Sequence, residues 1–419
     1  MGMREDKKTR VAVLGAGIIG TTIAYELQKR GKSVVLIDRN EPGRGASFGN
    51  MASIAVTEFL PSSRPSILSQ IPKWVFDPEG PVSIRPAYLP RMAFWLVRFL
   101  KAARPKTMEA LSAAGAALCH RALTDLQSML DGIDNRDALS SEGCISLYGS
   151  KAELDNDNDH ISTLERYGFD YRILSAKDVK DLEPAITDHI HCGLLFPDNK
   201  SVSDPYLLVQ KFLAAFLANG GEVLKGEVTG FRKTDDQIRF IQLADGRTVA
   251  VDEAVLSAGA YTGRLSKLLG EPIPLETERG YHTQIMKPNI SLRHSIIWPA
   301  RAFMVTPTAG GIRVGGTVEM AGLDAAPDYR RSKITVRHAK EALPELTVED
   351  ATEWMGHRPA LPDTVPIISP SAKVKNLFYA TGHGHLGVTY SATTAQLIAD
   401  MMTNIPIGMD MTPYRVDRF

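Results

Sequence analysis

Near the start of the chain the apolar residues fall in two short unbroken runs, Val11-Ala12-Val13-Leu14 and Val34-Val35-Leu36-Ile37. Runs of that length, closed by glycine or charge, predict strands buried on both faces. Between them Ile19, Ile23 and Leu27 recur at helical spacing, which predicts an amphipathic helix joining two parallel strands. A small-residue loop follows over residues 43–53. Prolines then punctuate the chain at 61, 65, 72, 78, 81, 86 and 90. Helical patterns run over about 91–131 and 151–168, and again from Asp204 to Gly220, closed by Asn219-Gly220-Gly221. Strand patterns occupy 222–224 and 227–231. Two more, 238–243 and 248–251, flank Asp245-Gly246, a hairpin signal. Residues 254–260 read as a buried strand ending in small residues, 281–320 as strands alternating with turns, and 332–343 as a helix. A strand over 377–381 enters a glycine-rich turn, and a long helix follows from about 389 to 402. Internal repeats and low-complexity tracts are absent.

The turn between the first strand and the first helix is Gly15-Ala16-Gly17-Ile18-Ile19-Gly20, and the second strand ends at Asp38. Strand, glycine turn, helix, strand and acid make a dinucleotide-binding unit. Gly15 permits the tight turn, Gly17 lets backbone approach a pyrophosphate, and Gly20 lets helix and strand pack closely. The helix start offers free N–H groups and positive dipole to phosphate. Asp38 can accept hydrogen bonds from a ribose diol, and an acid there disfavours a 2′-phosphate.

The second informative turn lies nearly 370 residues later, at Gly382-His383-Gly384-His385-Leu386-Gly387. A strand running into a glycine-rich turn and a helix start makes another site for negative charge. A nicotinamide enzyme seldom needs that closing element. A flavin does, because its reduced ring carries negative charge that a helix N-terminus stabilises.

Composition narrows the class. The chain has 419 residues, 44% of them hydrophobic and 23% charged, with 48 basic and 48 acidic side chains. It is long enough for two domains and ordinary for a globular protein, with no overall field favouring nucleic acid or anionic lipid. The cysteines, Cys119, Cys144 and Cys192, are scattered, odd in number and in no metal-ligand spacing. They read as buried or free thiols in a reducing compartment. Residues 1–10 lack the apolar core of a signal peptide, and no apolar run reaches spanning length. A cytoplasmic protein is expected, with room for peripheral attachment at the inner face of a membrane.

Taken together the chain resembles the FAD-dependent D-amino-acid oxidase-like superfamily, which includes glycine and sarcosine oxidases. More closely it resembles the D-amino-acid dehydrogenase branch, hydroxy-D-proline dehydrogenases among it. The likeness covers nearly the whole chain. Its carriers are VAVLGAGIIG, GASFGNMAS, SVSDPYLLVQ, VLSAGAYTGRL, HRPALPDTVPII and ATGHGHLGVTYSA. The resemblance implies that Gly15, Gly17, Gly20 and Asp38, with Ala16, Ile18, Ile19 and Arg39 beside them, hold the ADP half of FAD. Ser47, Asn50, Met51 and Ala52 would run beside the flavin ring, Val228 would pair its backbone with adenine, and Gly259 would approach the pyrophosphate side. His383, Gly384, His385, Gly387, Val388 and Thr389 would surround the pyrimidine edge of the ring, with Arg358 nearby. Sarcosine oxidases tether their flavin through a cysteine where this chain has His357-Arg358-Pro359, and all three cysteines lie before residue 200. Non-covalent FAD is therefore expected.

The reaction implied is oxidation of a D-amino acid, D-proline or cis-4-hydroxy-D-proline for example, to the imino acid by hydride transfer from Cα to flavin N5. Such a site must anchor a carboxylate, a task suited to the planar fork of arginine. Arg279 and Arg358 are the candidates, with Arg313 behind them; a structural ion pair is the competing reading for Arg358. Tyr281, His282 and His385 could also bind substrate, whereas Tyr390 reads as core. Glycine/sarcosine- or opine-type amine oxidation is the alternative within enzymes. A flavin-binding subunit of a heteromeric dehydrogenase is the alternative outside them. The electron acceptor would be oxygen, a quinone or the respiratory chain, and a homo- or hetero-oligomer is allowed. Residues 91–101 carry aromatic and apolar side chains with basic flanks, which suits a half-buried helix or a membrane contact. The fold expected is α/β: a discontinuous FAD-binding Rossmann-like domain (8–60, 196–271, 352–419) and an α+β substrate domain with an antiparallel sheet (61–195, 272–351).

Overall fold

The two N-terminal apolar runs form the strands Arg10–Leu14 and Ser33–Asp38, paired in parallel with Val11 opposite Val34 and Leu14 opposite Ile37. The helix Ile18–Lys29 makes the crossover between them. A computed structural model describes residues 9–64, 68, 70, 77–140 and 142–419. The polar opening over residues 1–8, with Pro65 and Pro72 of the proline-punctuated stretch, lies outside the described residues.

The first strand sits inside a six-stranded sheet of order 367–370, 377–381, 253–256, 10–14, 33–38, 222–225. All neighbours in it run parallel except the edge strand Ile367–Pro370, which turns back on Leu377–Thr381. Continuous apolar strands need cover on both faces, and both are covered. Val11, Val13, Val34 and Leu36 pack with the helices Ile18–Lys29, Pro205–Ala218 and Ser391–Met402. Ala12, Leu14, Val35 and Ile37 pack instead against Ile238, Ile241 and Leu243 of a three-stranded meander.

Local signals explain the connections. Asp204 caps its helix by accepting from the N–H groups of Tyr206 at 2.7 Å and Leu207 at 3.2 Å. The expected hairpin joins Gln237–Leu243 to Thr248–Ala250 through Asp245-Gly246, with Gly246 at φ +87°. The helical stretch expected over 91–131 is two helices, Ala93–Ala102 and Pro105–Asp131. Proline suits the opening of the second helix, where its ring-fixed φ is already helical and its missing N–H has no intrahelical acceptor to lose.

The second layer is a sheet of nine strands in the order 351–360, 276–285, 311–320, 303–308, 295–298, 144–148, 192–196, 172–175, with Val82–Ile84 beside Gly311–Met320. Its longest pairing sets Glu276–Ile285 against Ala351–Ala360 in unbroken antiparallel register, from Glu276 opposite Ala360 to Ile285 opposite Ala351. This pairing corrects the boundary expected at residue 352. The 351–360 strand belongs to the large sheet, and the chain returns to the dinucleotide-type sheet only beyond Ala360.

Candidate active site

A cavity of about 960 Å³ runs from the first glycine turn, under the large sheet, to the turn over residues 383–388. At its first end Gly15 adopts φ +107° and closes on Ile37, its N–H donating to the Ile37 carbonyl at 2.8 Å. A Cβ there would lie 2.5 Å from the Ser257 carbonyl oxygen, so only glycine permits the contact. The Gly20 Cα faces the Gly15 carbonyl, where a Cβ would come within 1.8 Å. The helix therefore starts hard against the turn, and Gly17 at its cap position offers no side chain to the first N–H groups. The Ile18 N–H donates to Ser47 Oγ at 2.9 Å, joining the helix start to the 45–53 loop. Asp38 accepts from the N–H of Ala16 at 2.7 Å and of Asn40 at 2.8 Å, and lines the cavity. Arg39 lies over the Tyr261 ring, 3.8 Å from its centroid, with Gly226, Val228 and Gly259 completing that end.

In the middle, the loop over 47–52 is clamped from the large sheet. Arg313 donates to Gln284 Oε1 at 3.0 Å and to the Asn50 carbonyl. His282 Nδ1 meets the Gly49 carbonyl at 3.1 Å, and since a carbonyl only accepts, that nitrogen carries the proton. The Trp354 indole covers Gly49, where a Cβ would fall 2.0 Å from Cε3. Burial pulls His282 down to about 3, helped by Arg313, so the ring is neutral. Ala52 holds φ +60°, and Asn50 Oδ1 is a buried acceptor without a donor among the described residues.

At the far end, Gly384 N–H donates to the Pro359 carbonyl at 2.8 Å, and His383 Nε2 meets Thr394 Oγ1 at 3.0 Å. Burial holds His383 down at about 3 and lowers His385, so both are neutral. His385 opens onto the cavity. Arg358 also lines it, and among the described residues its guanidinium has no hydrogen bond and no ion pair. Gly280 makes room for it: a Cβ at 280 would lie 2.5 Å from Arg358 Nη2. The helix Ala93–Ala102 walls this end with Trp95, Leu96 and Phe99, and turns Phe94, Val97 and Leu100 outward.

Arrangement and sequence agree on one family. The model described as DAO, FAD dependent oxidoreductase, matches residues 10–401. The chain belongs to the DAO family of FAD-dependent oxidoreductases. It is 32% identical over 422 residues to a D-amino-acid oxidase of Bradyrhizobium diazoefficiens, covering 98% of each chain. A D-amino acid dehydrogenase of Granulibacter bethesdensis is 28% identical, over 98% of this chain and 99% of the relative. Among solved structures, glycine oxidase from Geobacillus kaustophilus superposes with a TM-score of 0.76 at 20% identity, over 98% of this chain and 100% of that one.

The cavity fits the FAD that DAO family members use. It offers a helix start with glycine at its cap position, a backbone-held carboxylate at the end of the second strand and, among the described residues, an orphaned acceptor on the central loop. None of the three cysteines lines it; all are buried, and burial pushes the Cys119 thiol up to about 12.

Of the residues expected at this DAO site, the cavity brings together Gly15, Gly17, Ile18, Ile19, Asp38, Arg39, Ser47, Asn50, Met51, Val228, Gly259, Tyr281, His282, Arg358, His383, Gly384, His385, Gly387 and Val388. Others stand behind its wall. Ala16 serves through its N–H to Asp38, Gly20 packs the helix, and Ala52 accepts from Val202 N–H. Thr389 Oγ1 accepts from Ala55 N–H at 3.1 Å.

Arg279 is a correction. Strand alternation points it away from the cavity, fully buried, with Nη1 on Glu319 at 2.9 Å and further bonds to the Ala325 and Ala326 carbonyls. Tyr281 borders the cavity, but its hydroxyl donates to the same Glu319 at 2.5 Å and accepts from Asp328 N–H at 2.9 Å. Sequence reasoning missed two acids on the wall, Glu58 and Glu278. For Glu278 the signal was present: strand period two places 278, 280 and 282 on one face.

Proposed function

We propose that this protein oxidises a D-amino acid to the imino acid, with Arg358 holding the substrate carboxylate. The observation that carries the reading is the unpartnered guanidinium on the cavity wall. An arginine that closes no ion pair, beside neutral His385, is prepared for an anion, and its fork suits a carboxylate. FAD, when bound, supplies the two-electron acceptor for the hydride leaving Cα. In this reading the start of the Ile18–Lys29 helix faces the pyrophosphate and Asp38 the ribose. The Val228 backbone serves the adenine, and the 383–388 turn the pyrimidine edge of the ring. The helix Ala93–Ala102 and the residue before it give the same cavity an apolar stretch of wall, with Met92, Trp95, Leu96 and Phe99. A compact ring suits such a wall, which supports D-proline or cis-4-hydroxy-D-proline as substrate.

Arg64 also borders the cavity without an ion pair among the described residues. That second cation favours, as the alternative, an opine-type amine bearing two carboxylates. Outside, Phe94 is 84% exposed beside Val97 and Leu100, with Arg91 and Lys101 nearby, which supports peripheral contact with an anionic bilayer. No helix among the described residues is long and apolar enough to cross a membrane.

The test is anaerobic. The yellow protein is mixed with D- and L-amino acids, D-proline, cis-4-hydroxy-D-proline and an opine, and the flavin band is followed. Bleaching by a D-imino acid supports the reading, and admitting air then separates oxidase from dehydrogenase. Bleaching by the opine alone moves the assignment to the alternative.

A further inference from the structure

Glu278 and Arg358 occupy directly opposed positions on neighbouring antiparallel strands and both line the cavity. Opposite charges so placed ordinarily close into an ion pair, yet no salt bridge joins them. Arg358 lies instead across Gly280, two residues along the partner strand. Among the described residues the Glu278 carboxyl has no hydrogen bond. It faces both the cavity and a side chamber of about 40 Å³ behind the 383–386 turn. An amino acid is a zwitterion, and a cation and an anion held apart on one wall match its two ends.

We propose that Glu278 receives the substrate's ammonium group and takes its proton before oxidation, so that it is a catalytic residue of this site. The inference rests on the amino-acid reading above. An ammonium nitrogen has no lone pair with which to form the C=N bond as hydride leaves Cα. In the step assigned to Glu278 one N–H bond breaks and one O–H bond forms. The ammonium becomes a neutral amine and the carboxylate a carboxylic acid, with no change in oxidation state.

The surroundings suit this exchange. Burial pushes Glu278 up from its ordinary value and Arg358 pulls it back, which brings an acid toward the range where proton transfer is efficient. Facing it are Arg358 from the next strand, Glu58 from the chain ahead of Phe59, and His383, His385 and Tyr390 from the C-terminal turn. Both histidines are held neutral by burial, and burial likewise keeps the Tyr390 hydroxyl protonated. Its own strand adds Glu276, which accepts from the Tyr88 hydroxyl at 2.6 Å, and neutral His282.

The experiment measures kcat/KM against pH for the FAD-loaded wild type, Glu278→Gln and Glu278→Asp, using the amino acid that bleaches the wild type. It also measures binding of tetrahydro-2-furoate, a carboxylate with an ether oxygen in place of the amine. The wild type should reach its plateau well below the pKa of the substrate amine. Glu278→Gln should lose about 100-fold at pH 7, the low end for a positioned base. Its remaining activity should rise tenfold per pH unit up to the amine pKa, while tetrahydro-2-furoate binds as tightly as before. Glu278→Asp should recover part of the activity and the flat profile. A Glu278→Gln profile that is a scaled copy of the wild type overturns the role of Glu278 and leaves the D-amino-acid reading standing. So does equal weakening of both ligands. If Glu278→Gln does not retain FAD, a wild-type profile rising all the way to the amine pKa is the overturning result. No bleaching of the wild type by any amino acid overturns both.

Discussion

His282 stacks on Trp354, ring centroids 5.2 Å apart and planes 22° from parallel, while its Nδ1–H holds the Gly49 carbonyl at 3.1 Å. One side chain of the large sheet thereby fixes the loop that borders the centre of the cavity. His282→Leu removes a hydrogen bond and a ring contact together worth about 2 kcal/mol. FAD affinity should fall by roughly tenfold or more, measured by flavin fluorescence on dilution, with the fold retained.

The contact between Gly20 and Gly15 predicts a stronger effect. Gly20→Ala places its Cβ 1.8 Å from a backbone carbonyl oxygen that has no free side chain to move. The helix must shift away from the turn, at a cost of about 1–3 kcal/mol. The purified variant should be nearly colourless, its ratio of flavin to protein absorbance showing little bound FAD, with a lowered Tm.

Gly280 is tested by its own small size. Gly280→Ala drives a methyl against the Arg358 guanidinium at 2.5 Å, while no contact of the dinucleotide-type turn is touched. Bound FAD should stay near the wild-type level and KM for the amino acid should rise by roughly tenfold or more, about 1.4 kcal/mol for each factor of ten. Steady-state kinetics with a flavin content assay separates the two.

Buried neutral histidines set an acid limit. His383 and His282 are held down at about 3 and His357 at about 4, in each case mainly by burial. The unfolded chain takes up these protons near pH 6.5 and the folded chain does not, so stability is full above that value and is lost as pH falls toward 3–4. Each histidine adds about 1.4 kcal/mol per pH unit to the slope inside its window. Tm measured from pH 7 to pH 4.5 should therefore fall steeply, and His383→Asn should flatten the curve.

Much of this architecture was legible in the sequence where the signal is local. The Gly15–Asp38 unit, the helix begun at Asp204 and the Asp245-Gly246 hairpin each depend on residues close together in the chain, and each forms as read. The large sheet was less legible because its partners are remote: 276–285 pairs with 351–360, and 144–148 lies parallel to 295–298. The Arg279 error has the same kind of cause. Residues 279–285 are all buried, so the strand shows no alternation of apolar and polar positions to say which side chains face the cavity. Arginine was favoured on chemistry alone, and its neighbour Glu278 held the exposed side.

Whether an amino acid is oxidised with its carboxylate on Arg358 is decided by anaerobic stopped-flow reduction of the wild type and Arg358→Ala. A D-amino acid should bleach the wild-type flavin and its L-enantiomer should not. Arg358→Ala should keep its FAD but need at least about 100-fold more substrate, the loss of a charged bidentate contact of about 3 kcal/mol. Equal half-saturation in the two proteins would remove Arg358 from the carboxylate, and equal bleaching by both enantiomers would rule out a D-specific site.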